Sequence, residues 1–173
     1  MVPSMETLDA IHTRRSIRKF TDEKVSDELI EKILQAGMMA PSANNQQPWH
    51  FIVVKDKKLL DKITKIHKYS QMCKTASAAI IVCADTSCGE FSDFWIQDCS
   101  ACTQNILLAI RDLGLGAVWV GLYPEKEYVK NFSEDFNLPK NIVPLSLVPL
   151  GYPAQKSGRV DRFKKERIHV DTW

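Results

Sequence analysis

No apolar stretch of this sequence approaches the roughly 18 residues that a membrane-spanning helix needs. The opening Met1-Val2-Pro3-Ser4-Met5-Glu6 lacks the basic and apolar regions of a signal peptide. An excess of either charge is missing too: 23 Lys and Arg against 21 Asp and Glu leave a formal net charge of +2, too balanced for a nucleic-acid or membrane-surface protein. Five cysteines make an odd count without regular spacing, which argues against a secreted disulfide scaffold and suits reduced thiols in the cytoplasm. His12, His50, His67 and His169 are scattered with no metal-binding spacing, so no metal is expected. Gly114-Leu115-Gly116 lacks the third glycine and the preceding strand of a dinucleotide fingerprint. Cys99-Ser100-Ala101-Cys102 has no second pair at zinc spacing and falls inside an expected helix, where packing is its expected role. With no paired acid and base and no nucleophile beside an activating partner, any redox chemistry must belong to a bound cofactor.

What is present is more pointed. Arg14-Arg15-Ser16-Ile17-Arg18 places three guanidiniums and a hydroxyl within five residues. A guanidinium is a planar fork of donors that meets phosphate oxygens two at a time, and a serine hydroxyl orients one oxygen more. A solvated basic face would have the same composition. The second stretch, Ala40-Pro41-Ser42-Ala43-Asn44-Asn45-Gln46-Gln47-Pro48-Trp49-His50-Phe51, is a loop between two prolines that carries four consecutive side-chain amides. Paired donors and acceptors suit the edge of a flat heteroaromatic ring better than a bare ion. A rigid connector with turn-tolerant Asn residues is the plainer alternative.

A helix, Arg-Arg-Ser-x-Arg, a second helix and then Pro-Ser-x-x-Asn-x-Gln-Pro-Trp together resemble the opening of the FMN-dependent nitroreductase family. The resemblance continues through Gly121 in Trp-Val-Gly-Leu-Tyr-Pro, Gly151-Tyr152-Pro153, Arg159-Val160-Asp161-Arg162-Phe163 and the terminal Trp173. It implies one nitroreductase-like domain over residues 1–173, with the α+β fold of a central mixed sheet flanked by helices. It further implies an intertwined homodimer whose C-terminal tail crosses to the partner. By the same resemblance Arg14, Ser16 and Arg162 hold the FMN phosphate and ribityl chain, with Arg15 and Arg159 less firmly matched. Arg18 faces the pyrimidine edge of the ring, and a backbone amide at Val120 or Gly121 meets flavin N5. Pro41, Ser42, Ala43, Asn45 and Gln47 come from the other subunit. The activity implied is hydride transfer from NADH or NADPH, through the flavin, to a nitroaromatic or quinone by a ping-pong mechanism. Other flavin chemistry on the same fold, or a non-catalytic FMN carrier, remain alternatives. Met72 stands where longer members carry a second basic residue at the pyrimidine edge.

Periodicity and capping predict the elements. Ser4 caps a helix to about His12 with Met5, Leu8 and Ile11 on its apolar side. Ser26-Asp27-Glu28 starts a second, striped by Leu29, Ile30, Ile33, Leu34 and Met38. Strands are expected at Trp49–Val54, Ala76–Cys83, Gly116–Leu122 and Ile142–Leu150, with Pro144 and Pro149 at an edge, an end or a bulge. Further helices carry Leu59, Leu60, Ile63 and Ile66, run from about Phe91 to Leu113, and span Glu125–Phe132.

Overall fold

The computed structural model describes residues 5–90 and 92–173, so the expected cap at Ser4 and the expected helix start at Phe91 lie outside the described residues. The chain folds as α1 (Thr7–Thr13), α2 (Asp27–Met38), β1 (Trp49–Val54), α3 (Lys57–Ile66), β2 (Ala78–Asp85), α4 (Trp95–Asp112), β3 (Gly116–Ala117), β4 (Val120–Gly121), α5 (Lys126–Asp135) and β5 (Ile142–Gly151). Helices α2 and α3 start as capping chemistry predicts. The Ser26 hydroxyl accepts the Leu29 N–H and the Asp56 carboxylate accepts the Leu59 N–H at 2.9 Å. Helix α4 ends at Gly114, whose positive φ of 76° closes a Schellman turn: the Leu115 N–H reaches the Ile110 carbonyl at 2.9 Å and the Gly114 N–H that of Arg111 at 3.1 Å. No described helix is long and apolar enough to cross a membrane.

The strands form one sheet in the order β1-β2-β5-β3, with β4 also paired to β5, and every named pairing is antiparallel. Strand β2 is buried on both faces, and its side chains alternate between two cores. Ala78, Ile80, Val82 and Ala84 meet α2 and α4 through Ile33, Cys102 and Ile106, whereas Ala79, Ile81 and Cys83 meet α3 and α5 through Leu60, Ile63 and Phe132. Buried Thr103 of α4 and Ser146 of β5 satisfy one another across 3.0 Å, so the polar contact inside the first core leaves neither hydroxyl orphaned. Burial pushes the Cys73, Cys83 and Cys102 thiols up to about 12, and raises Cys99 as well, which fits packing rather than reactivity for the Cys-x-x-Cys pair.

Three expectations are corrected. Helix α1 turns Ala10 inward, while Leu8 and Ile11 are exposed. Glu6, not a side-chain cap, precedes it. The expected strand Gly116–Leu122 is split and lies at the sheet's edge, and β5 lies inside. Its two halves share one register on β5, Gly116 opposite Gly151 and Ala117 opposite Leu150, then Val120 opposite Leu147 and Gly121 opposite Ser146. In that register the gap at Val118 faces Pro149, which has no N–H to return, so the ladder cannot close there. Pro144, by contrast, sits at the irregularity where β5 slips against Val82 and Cys83 of β2.

Beyond β3 the sheet is extended by the arginine-rich stretch. Ser16 bridges Ala117 in parallel, and the Ile17 N–H donates to the Ala117 carbonyl at 2.8 Å. Gln155 then accepts the N–H groups of Arg18 and Lys19 at 3.0 and 3.1 Å, and Thr21 donates to Tyr152. The close approach needs a glycine: a Cβ on Gly116 would lie 2.7 Å from Cγ2 of Ile17. Gly116→Ala is therefore expected to cost about 1–3 kcal/mol by overpacking. Thermal unfolding would show it as a fall of roughly 2–4 °C per kcal/mol, and a wild-type midpoint would refute the contact.

Candidate active site

Helix α1 ends at Thr13, and the chain leaves it extended, so Arg14 and Arg15 project from the edge of the sheet beside the end of α4. Two cavities share these arginines. One, of about 280 Å³, is lined by Thr13, Arg14, Arg15, Arg111, Gln155 and Lys156 among others. The other, of about 700 Å³, is lined by His12, Arg14, Arg15, Arg159, Arg162 and Phe163 among others. The tail thus returns Arg159 and Arg162 to the arginines from which the chain set out.

Positive charge dominates this cluster, where Asp161 is the acidic residue lining the larger cavity. Burial, then Arg162, then Arg15 push the Arg14 guanidinium below its usual range. Arg15 donates from Nη1 to the Arg14 carbonyl at 2.6 Å, while its buried Nε and Nη2 have no hydrogen-bond partner. Among the described residues no carboxylate pairs with Arg14, Arg15 or Arg162. Arg159 differs, because it pairs with Asp9 of α1. Like charges held together with orphaned donors are unfavourable unless an anion completes them. Ser16 is exposed beside them. The missed member is Arg111, whose Nε donates to the Thr13 hydroxyl at 3.0 Å; a lone arginine in the last turn of α4 carried no sequence signal beyond favourable placement at a helix end.

A third cavity, of about 510 Å³, lies on the far side of the arginine stretch and is lined by Arg18, His67, Met72, Trp119, Gly121 and Tyr128 among others, Val120 included. A Cβ built on Gly121 would meet nothing within 4 Å, so no neighbour in the chain demands this glycine. Its missing side chain leaves room for something flat against β4. His67 is the residue sequence reasoning passed over. It is 2% exposed, and its Nε2 lies 3.0 Å from the Gly121 carbonyl oxygen. Burial pushes its imidazole below the usual pKa.

The amide loop is elsewhere. Pro41, Ser42, Ala43, Asn45 and Gln47 line none of these three cavities. The loop is stiffened from within: the Gln47 N–H donates to the Ser42 hydroxyl and the Gln47 amide to Asn45 Oδ1, both at 3.0 Å. Buried Asp98, at the start of α4, accepts the Ala43 N–H at 3.1 Å and so anchors the loop to the helix. Asn44, Asn45 and Gln47 all hold positive φ, the region where asparagine is tolerated best. Exposed apolar groups lie outside these three cavities as well, among them Leu8, Met39 and Trp173, the last 99% exposed.

The chain as a whole is similar to known proteins. A 51% identical protein of Methanothermobacter thermautotrophicus, provisionally named NADH dehydrogenase/NAD(P)H nitroreductase, aligns over 99% of this chain and 90% of its own. The FMN reductase [NAD(P)H] of Bacillus subtilis is 28% identical over 97% of this chain and 74% of its own. Among solved structures, a protein of Desulfovibrio desulfuricans provisionally named nitroreductase, in complex with FMN, superposes with a TM-score of 0.84 at 33% identity, covering 98% of both chains. The Nitroreductase family profile matches residues 11–85 and 67–152, and with sheet, helices and arginine stretch arranged as described, this chain belongs to the nitroreductase family.

Proposed function

We propose that the protein is an FMN-dependent oxidoreductase that takes hydride from NADH or NADPH and delivers it to an electron-poor acceptor such as a nitroaromatic or a quinone. The observation that carries this reading is the convergence of Arg14, Arg15 and Arg162 with no carboxylate paired to any of them among the described residues, and with Arg15 Nε and Nη2 buried and unpartnered. A phosphate monoester, with about −2 charge near neutral pH and three acceptor oxygens, answers all of those donors. The relative named FMN reductase and the neighbour solved with FMN support the choice of flavin mononucleotide over other phosphates.

When bound, the flavin supplies hydride transfer at its N5 atom. The chain does the rest. Arg14, Arg15, Ser16 and Arg162 hold the phosphate and ribityl end, with Arg159 adding charge while it keeps α1 tied through Asp9. Arg18 places a fixed positive charge at one end of the Gly121 cavity, where it stabilises negative charge at the pyrimidine edge. Val120 and Gly121 offer backbone amide and open space to the ring. Pro41, Ser42, Ala43, Asn45 and Gln47 are supplied by a second copy, as in a site shared between subunits of a homodimer. The uncovered Leu8, Met39, Phe163 and Trp173 support that pairing, since so many exposed apolar groups are unusual on a monomer. Five free cysteines suit a reducing cytoplasm.

Arg14→Ala removes one charge-assisted contact, worth about 1.5–3 kcal/mol, so FMN binding weakens by roughly ten- to a hundredfold. Titration of the apoprotein by flavin fluorescence checks this, and unchanged affinity would sink the phosphate assignment. Donor and acceptor use the same face in turn, so initial rates give parallel double-reciprocal lines. Intersecting lines would instead require both to be bound together. Light scattering should find a dimer, and truncation after Pro153 should lose both dimer and flavin. A flavin-loaded monomer from either protein would refute the shared site.

A further inference from the structure

We propose that His67 is a positioning residue for hydride transfer: by donating its Nε2–H to the Gly121 carbonyl it fixes the strand edge so that the Gly121 N–H is held toward the flavin ring. The inference rests on the proposed function and adds a residue to it.

The tautomer follows from the neighbours. The Tyr69 N–H lies 3.2 Å from His67 Nδ1, so Nδ1 offers its lone pair and the proton belongs on Nε2, which faces the Gly121 carbonyl at 3.0 Å. Burial favours the same neutral form. The ring cannot swing. Tyr128 of α5 lies against it with centroids 3.9 Å apart, Phe132 meets it edge-on at 6.5 Å, and its backbone caps α3 through the Ile63 carbonyl. Both nitrogens are committed to backbone atoms and the residue is 2% exposed, so it has no free nitrogen to exchange a proton with a substrate. That makes it a positioning residue rather than a catalytic one.

Its target is the place where positioning is needed. In the β4–β5 register the Leu122 N–H donates to Leu145 at 3.0 Å, so alternation turns both polar groups of Gly121 away from β5. The carbonyl finds His67, and the N–H is left on the cavity side of an edge strand. The peptide joining Gly121 to Leu122 is thereby held at both its polar atoms, by His67 and by Leu145. Gly121 joins the peptide that carries its N–H to the peptide whose carbonyl His67 holds, and glycine restricts φ and ψ less than any other residue, so without that tether the two peptides would turn more freely against one another. Water would satisfy an exposed carbonyl equally well but would not fix its direction. A buried imidazole clamped between α3 and α5 does.

The test uses wild-type protein, His67→Gln and His67→Asn. Glutamine reaches the Nε2 position and keeps the donor to Gly121, whereas asparagine reaches only the Nδ1 position. The affinity of each apoprotein for oxidised and for dithionite-reduced FMN is measured anaerobically, with the Gly121 amide followed by ¹⁵N NMR. His67→Asn should change the ratio of the two affinities by roughly tenfold, equivalent to about 30 mV for a two-electron couple. It should also lose most of the FMN-induced Gly121 shift, and His67→Gln should restore both. In wild-type protein alone, the imidazole ¹⁵N spectrum should show a proton on Nε2. A wild-type ratio and Gly121 shift in His67→Asn, or a proton on Nδ1, overturns the proposal. Failure of all three proteins to bind FMN would instead overturn the parent reading, and this one with it.

Discussion

The hydrogen bond from Ile17 to Ala117 governs the site more than any other single contact. It pins a charged stretch that could have been a solvated loop to the sheet's edge, and thereby sets Arg14 and Arg15 at the arginine-lined cavities and Arg18 at the Gly121 cavity. The contact exists only because β3 opens with a glycine, against which Ile17 packs without a Cβ between them. Everything downstream inherits that placement: the tail has a cationic cluster to return to, and the Gly121 cavity has a guanidinium at one end.

Desolvation and repulsion oppose the cluster in the free chain, and a dianion bound there would offset both. An arginine depressed by burial and by two neighbours of like charge is stabilised most by whatever neutralises all of them together. The apoprotein is thus arranged around a charge it does not possess. This separates the cluster from the chain's ordinary surface ion pairs, such as Lys55 with Asp27, where each charge is already answered.

Much of this was readable from sequence wherever a local rule decided the outcome. Ser26, Asp56 and Gly114 punctuate helices as capping chemistry requires, and β1 occupies its expected residues. The arginine stretch was legible because charge density survives without a fold. Helix α1 misled because amphipathic spacing shows that a face will be covered and not which chain covers it: Leu8 and Ile11 are bare here, and Ala10 faces in. The break between β3 and β4 needs knowledge of a partner strand, since the cause is Pro149, far along the sequence. His67 was illegible for a related reason. Its partner is a backbone oxygen 54 residues away, and backbone atoms leave no mark in a sequence.

That same proline acts as a length gauge. By withholding one N–H opposite Val118, Pro149 divides a single stretch of register into a segment whose outer edge is occupied by protein, at Ala117, and a segment whose outer edge faces a cavity, at Gly121. A residue bearing an N–H at that position would let the ladder zip through Val118 and Trp119 and stiffen the junction between the two halves. The boundary between what the fold keeps for itself and what it offers to a ligand is therefore written in a residue that lines neither the arginine-lined cavities nor the Gly121 cavity.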